Sequence, residues 1–168
     1  MSPDSEDSDS HDLSNPVPEG WARLDPGPLL AQFADYYGIP PERFAGLDFW
    51  QRTPSGSVWA IRADHAVPLD PAPETLGLRV RRGDKPPTQL SNAFLRRFFA
   101  GATRHALTLE DPAHVLAYFA RDPLPGPPPT GDGYYVVLGL GGVLGRARAH
   151  DGQLRGEPSK NERLPPVL

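Results

Sequence analysis

The chain of 168 residues contains no cysteine, a single methionine and, among its 17 basic residues, only two lysines. Without cysteine there is no disulfide framework, no thiolate nucleophile and no cysteine-ligated zinc. No N-terminal apolar stretch reads as a signal peptide and no run is long enough for a membrane span, so the sequence predicts a soluble, cytoplasmic protein with no membrane partner.

Catalytic signatures are missing too. There is no GxSxG elbow, P-loop or kinase signature, and Asp64 stands beside His65 with no nucleophile to serve. The five histidines, His11, His65, His105, His114 and His150, are dispersed without ligand spacing, which predicts no metal site. Gly139, Gly141 and Gly145 imitate a dinucleotide-binding motif, but that motif opens a helix, and here the glycines lead into a strand. The sequence therefore predicts no cofactor and no enzyme; a catalyst of unfamiliar type would need Asp64, His65 or His105 to converge in a deep pocket.

What is present is segregated charge. The formal net charge is −4, yet residues 1 to 20 hold six acids and no Lys or Arg, leaving 17 bases against 15 acids in the rest. From Arg79 onward there are 13 bases and 8 acids. Fifteen of the bases are arginine, which suits bidentate phosphate recognition, although an Arg-, Pro-, Gly- and Ala-rich chain also fits a GC-rich genome.

Residues 1–20 are acidic, Ser-rich and nearly free of large apolar side chains, the composition of a disordered tail. Asp25-Pro26 starts a helix carrying Leu29, Leu30, Phe33, Tyr36 and Tyr37, and Gly38 with Pro40 stops it. A turn over 39–44 leads to a hairpin of Asp48–Arg52 and Ser57–Arg62, and a proline-rich loop leads to a strand over Leu76–Arg82. An α+β lobe over 21–83 would end there. Thr88 is placed to cap a helix with Leu90, Phe94, Leu95 and Phe98 buried and Gly101 at its end. A short strand Arg104–Leu107 follows, then a helix capped by Thr108 and Asp111 with Val115, Leu116 and Phe119 inward. The aromatic positions fit buried stripes, and no internal repeat is visible.

The final third reads as a hairpin unit. Tyr134–Leu138 and Val143–Ala149 flank a glycine-rich turn, and Asp151-Gly152 marks another. Period two puts Val143, Gly145, Ala147 and Ala149 on one face and Leu144, Arg146, Arg148 and His150 on the other. Arg155, Lys160 and Arg163 extend the positive charge, as expected where a polyanion lies across a sheet. The plainer alternative is that Arg146 and Arg148 solvate an exposed face.

Several stretches resemble a known family. RRGDKPPTQLSNAFLRRFF (81–99) resembles a passage from a basic strand through a Lys-Pro turn into a helix, GYYVVLGLGGVLGRARAHDGQLRGE (133–157) a set of closing hairpins, and PSKNERLP (158–165) a basic ending, all of the PUA-type RNA-binding domain of the Nol/Nop/Fmu group of ribosome-biogenesis proteins and RNA cytosine methyltransferases. YYGIPPERFAGLDFWQR and SVWAIR resemble the lobe before that domain. The ending departs from the family's Pro-Lys adjacency, since Ser159 separates Pro158 from Lys160.

The resemblance implies an α+β fold in which a small α+β lobe precedes a PUA-like mixed-sheet pseudo-barrel over 84–168. It also implies binding of structured RNA, ribosomal or transfer, in ribosome biogenesis or RNA modification. Methyl transfer is not implied, because the group's enzymes use cysteine nucleophiles and a large cofactor domain; an RNA-modifying enzyme or a ribosomal particle would be a partner. The expected RNA-binding residues are Arg79, Arg81, Arg82, Lys85, Arg96, Arg146, Arg148, Arg155, Lys160 and Arg163, holding backbone largely by shape. The rival expectation is a protein-interaction module of a ribosome-assembly or RNA-modification complex.

Overall fold

The structure, a computed structural model, describes residues 16–126, 131–160 and 162. The expected acidic tail lies outside the described residues up to position 15; residues 16–20 lead through a turn into the first strand. The fold is α+β, with two four-stranded sheets and three α-helices among the described residues.

Strand β1 (Trp21–Leu24), absent from the sequence expectation, pairs antiparallel with β2 (Leu47–Arg52). Between them runs α1 (Pro26–Tyr37), bounded as its sequence predicts: the Asp25 carboxylate accepts from the Gly27 N–H, and Gly38 closes the helix at φ 68°. A 3-10 turn (Pro41–Phe44) follows. The predicted hairpin forms from β2 and β3 (Val58–Arg62), and β4 (Leu78–Arg81) completes the antiparallel order β1-β2-β3-β4.

Helix α2 (Asn92–Phe98) starts later than expected. Ser91, not Thr88, is the cap, its hydroxyl accepting from the Phe94 N–H while donating to the Arg79 carbonyl. Leu90 precedes the helix and bridges to Arg81, which carries the extended chain one step beyond β4. Strand β5 (Ala106–Leu109) is likewise shifted, so Thr108 lies within it and Asp111 alone caps α3 (Pro112–Ala120) by accepting from the Ala113 N–H at 2.8 Å. The stripe of α3 is Val115 with Tyr118, three residues apart; Leu116 stays 44% exposed.

The second sheet is mixed. β5 lies parallel to β6 (Gly133–Gly139), with α3 in the crossover, and β6, β7 (Gly142–His150) and β8 (Gln153–Gly156) run antiparallel. Both tight turns adopt the left-handed pairs suited to two-residue hairpins: Leu140 and Gly141 at φ 54° and 77°, Asp151 and Gly152 at 49° and 73°.

One departure from period two matters. Leu138 faces Val143 while Val137 faces Gly145, so Leu144 bulges and turns into the core beside Ala147 and Ala149. Beyond the bulge the alternation holds, and Arg146, Arg148 and His150 point away from the buried Ala147 and Ala149.

A phenylalanine-rich core (Phe33, Phe44, Phe49, Phe94, Phe99) joins α1 and α2 to the first sheet and also takes in Val136 of β6. Tyr36 adds a polar tie between the same parts, its hydroxyl donating to the Tyr134 carbonyl and accepting from its N–H, both at 3.1 Å. Helix α2 thus packs on both β4 and β7 and fixes their separation.

Candidate nucleic-acid interface

Strand β4 buries Val80 and leaves Arg79 and Arg81 on its other side, as the alternation requires. The turn after it presents Arg82 and Lys85, both paired with Asp84 at 3.1 and 3.7 Å. Opposite them stands Arg146 of β7. These five cations line one cleft of about 260 Å³, closed by Gln89, Ser91 and Asn92 on one side and by Glu157, Pro158 and Ser159 on the other. The predicted residues from near position 80 and from the C-terminal hairpin therefore meet in space.

What brings β7 to β4 is Asn92, a polar residue only 6% exposed. Its amide nitrogen donates to the Glu157 carbonyl at 2.8 Å, and its oxygen accepts from the Arg146 N–H at 2.9 Å. The Arg146 side chain completes the knot, with Nε on the Glu157 carboxylate at 2.6 Å and Nη1 on the Leu90 carbonyl at 2.7 Å. At 22% side-chain exposure Arg146 is first of all a strut of the cleft wall. Reversing its charge would break both side-chain contacts, so it is a poor probe of surface electrostatics.

Neither Arg79 nor Arg81 has a carboxylate within 4.0 Å among the described residues, and the Nε of Arg81 is buried without a hydrogen-bond partner. Arg79 lies over the Trp59 ring at 5.8 Å, which holds its guanidinium on the sheet. Glu157, the only carboxylate on the cleft wall among the described residues, is already neutralised by Arg146. Among the described residues the five cations meet two carboxylates, Asp84 and Glu157, so the cleft keeps a net positive charge, with Arg79 and Arg81 the two that have no acidic partner.

The other predicted residues fall elsewhere. Arg148 and Arg155 face each other across β7 and β8, in a second cleft of about 570 Å³ that shares Glu157 with the first. Arg96 turns away from both: it donates through Nε and Nη2 to the Leu144 carbonyl exposed by the bulge, and it ion-pairs with Glu162. Lys160 is exposed next to Ser159 and lines neither cleft; Arg163 lies outside the described residues.

Three contributors were missed: Asn92, Glu157 and Arg121, the last of which lines the second cleft. Nothing local marks any of the three, since Asn92 stands at the first position of α2 only once Ser91 is known to be its cap. Among the described residues Asp132, His150 and Asp151 place possible ligand atoms within 4.8 Å, but all are exposed and His150 already contacts both carboxylates.

Of the groups considered for catalysis, Asp64 and His65 touch, Nδ1 to Oδ1 at 3.2 Å, on an exposed surface, and His105 lies apart from them. Asp64 is exposed, its carboxyl held below the usual range chiefly by hydrogen bonds from Arg62. His105 is stacked on Tyr36 at 3.8 Å with Nδ1 on the Tyr36 carbonyl, and no described cavity brings it to Asp64 or His65. Burial pushes the phenol of Tyr134 upward, with Glu157 adding to the shift and Arg148 and Arg146 opposing it.

No family model, curated protein or solved structure matches the chain. No described helix is long and apolar enough to cross a membrane.

Proposed function

We propose that the protein is a non-catalytic RNA-binding module that holds the backbone of structured RNA, ribosomal or transfer, during ribosome biogenesis or RNA modification. One observation carries the reading: Arg79, Arg81, Arg82, Lys85 and Arg146, from segments far apart in sequence, converge on one cleft whose wall carboxylate, Glu157, is already paired with Arg146. Such a site attracts a polyanion and releases its counterions, and arginine's planar fork suits phosphate oxygens. The resemblance of 81–99 and 133–157 to a PUA-type domain supports RNA as the polyanion.

The test is binding of the purified, nuclease-treated protein to bulk tRNA and ribosomal RNA at two salt concentrations, beside an Arg79→Glu/Arg82→Glu variant that leaves the Asn92–Arg146–Glu157 knot intact. Salt-sensitive binding that the folded variant loses supports the proposal. Absence of binding at low salt defeats it.

A protein-interaction module is the second reading, favoured by an apolar groove of about 510 Å³ in which Leu47, Ala60, Ile61, Leu78 and Phe98 are rimmed by Arg62 and Arg97. A co-purifying protein that survives nuclease treatment would support it.

A further inference from the structure

Beyond Glu157 the second cleft gathers Arg121, Arg148 and Arg155, and its arrangement is costly unless something anionic occupies it. Arg148 and Arg155 are direct cross-strand partners, and like charges in that position destabilise a sheet. Neither they nor Arg121 has a carboxylate within 4.0 Å among the described residues. Of the two acids that line the cleft, Glu157 is held by Arg146 at 2.6 Å, and Asp151 contacts the His150 ring at 3.4 Å and none of the three arginines.

Two of the arginines are also oriented in advance. Arg155 donates through Nη1 to the Arg121 carbonyl at 3.3 Å and through Nη2 to Gln153 at 3.0 Å, and Arg121 donates through Nη2 to the Pro158 carbonyl at 3.2 Å. Guanidinium groups tethered in this way lose less freedom when a ligand arrives. Arg148, with no polar partner among the described residues, stands exposed between them and Arg146.

We infer that Arg121, Arg148 and Arg155 form a second phosphate subsite, and that one RNA strand runs along β7 with phosphates seated on both sides of Glu157. This rests on the RNA-binding reading and extends it. Arg146 and Arg148 are two residues apart on an extended strand, about 7 Å, so the two clefts, which meet at Glu157, follow each other along β7. The Arg146–Glu157 pair then divides the track and fixes where a phosphate cannot sit.

The decisive variant is Arg148→Glu in the full chain, with bulk tRNA as probe. Removing the Arg148–Arg155 repulsion should leave the melting temperature of the free protein equal or higher. Affinity for tRNA should nevertheless fall about tenfold, and the slope of log affinity against log salt should shrink by roughly 0.7 to 0.9 per lost contact. If Arg148→Glu binds tRNA with unchanged affinity and slope while Arg79→Glu/Arg82→Glu does not, the second subsite is wrong and the first cleft stands. If the unaltered protein shows no salt-sensitive binding, the RNA reading fails and the subsite with it. Loss of a nuclease-resistant protein partner on Arg148→Glu, with tRNA binding intact, would assign the surface to protein and overturn the inference.

Discussion

At the scale of single residues, Asn92 and Tyr118 make opposite predictions although they touch the same place. Asn92 satisfies the Arg146 N–H and the Glu157 carbonyl, so Asn92→Ala leaves two main-chain groups of the cleft wall unpaired in a nearly dry site. The expected loss is about 1–3 kcal/mol of unfolding free energy, measured by denaturant titration, together with weaker RNA binding as β7 loosens from α2. Tyr118 is fully buried beside Gly145 and Gly156, where a Cβ would collide with it, yet its hydroxyl finds no partner among the described residues. Burial drives its phenol well above the ordinary range. Tyr118→Phe removes an unsatisfied polar group without changing shape, so stability should hold or rise. A large loss would show that the hydroxyl is hydrogen-bonded after all.

The elements depend on how their ends are capped, and Ser91 illustrates this at the start of α2. Its hydroxyl accepts from Phe94 and donates to Arg79, joining a helix cap to the strand that bears the cleft's arginines. Ser91→Ala should cost about 1 kcal/mol, read from the thermal midpoint, a typical loss for an N-cap. Local chemistry made α1 and the two late hairpins legible in the sequence, because Asp25-Pro26, Gly38, Gly141 and Asp151-Gly152 each demand one backbone geometry. Where several polar residues compete, local sequence misplaces the cap: Thr88 and Thr108 are both suitable cap residues, but tertiary pairing of Leu90 with Arg81 and of Thr108 with Leu138 keeps those segments extended. Leu144 escaped the period-two reading for a related reason, since a bulge is set by how β6 and β7 register and leaves no mark on one strand alone.

Across the whole molecule the charge segregation was visible in the sequence, and so was the basic character of 79–85 and 146–155. Which cations share a cleft was not, because that depends on α2 spanning β4 and β7. The structure separates arginines that look alike in sequence: Arg96 and Arg146 hold the fold, whereas Arg79, Arg81, Arg82 and Lys85 surround open space. That division sets the salt dependence. If these four cations each displace one counterion from the RNA backbone, the first cleft alone contributes a slope of about −3 to log affinity against log salt, and the Arg148 subsite adds to it. That contribution alone should lower tRNA affinity roughly sixtyfold when monovalent salt is raised fourfold. Arg79→Glu/Arg82→Glu should flatten the line by about 1.4 to 1.8 in slope, whereas Asn92→Ala should lower affinity at every salt with much of the slope retained, since it loosens the cleft without removing a charge. A slope near zero in the unaltered protein would mean that the cleft's charge does not drive binding, however tight that binding is.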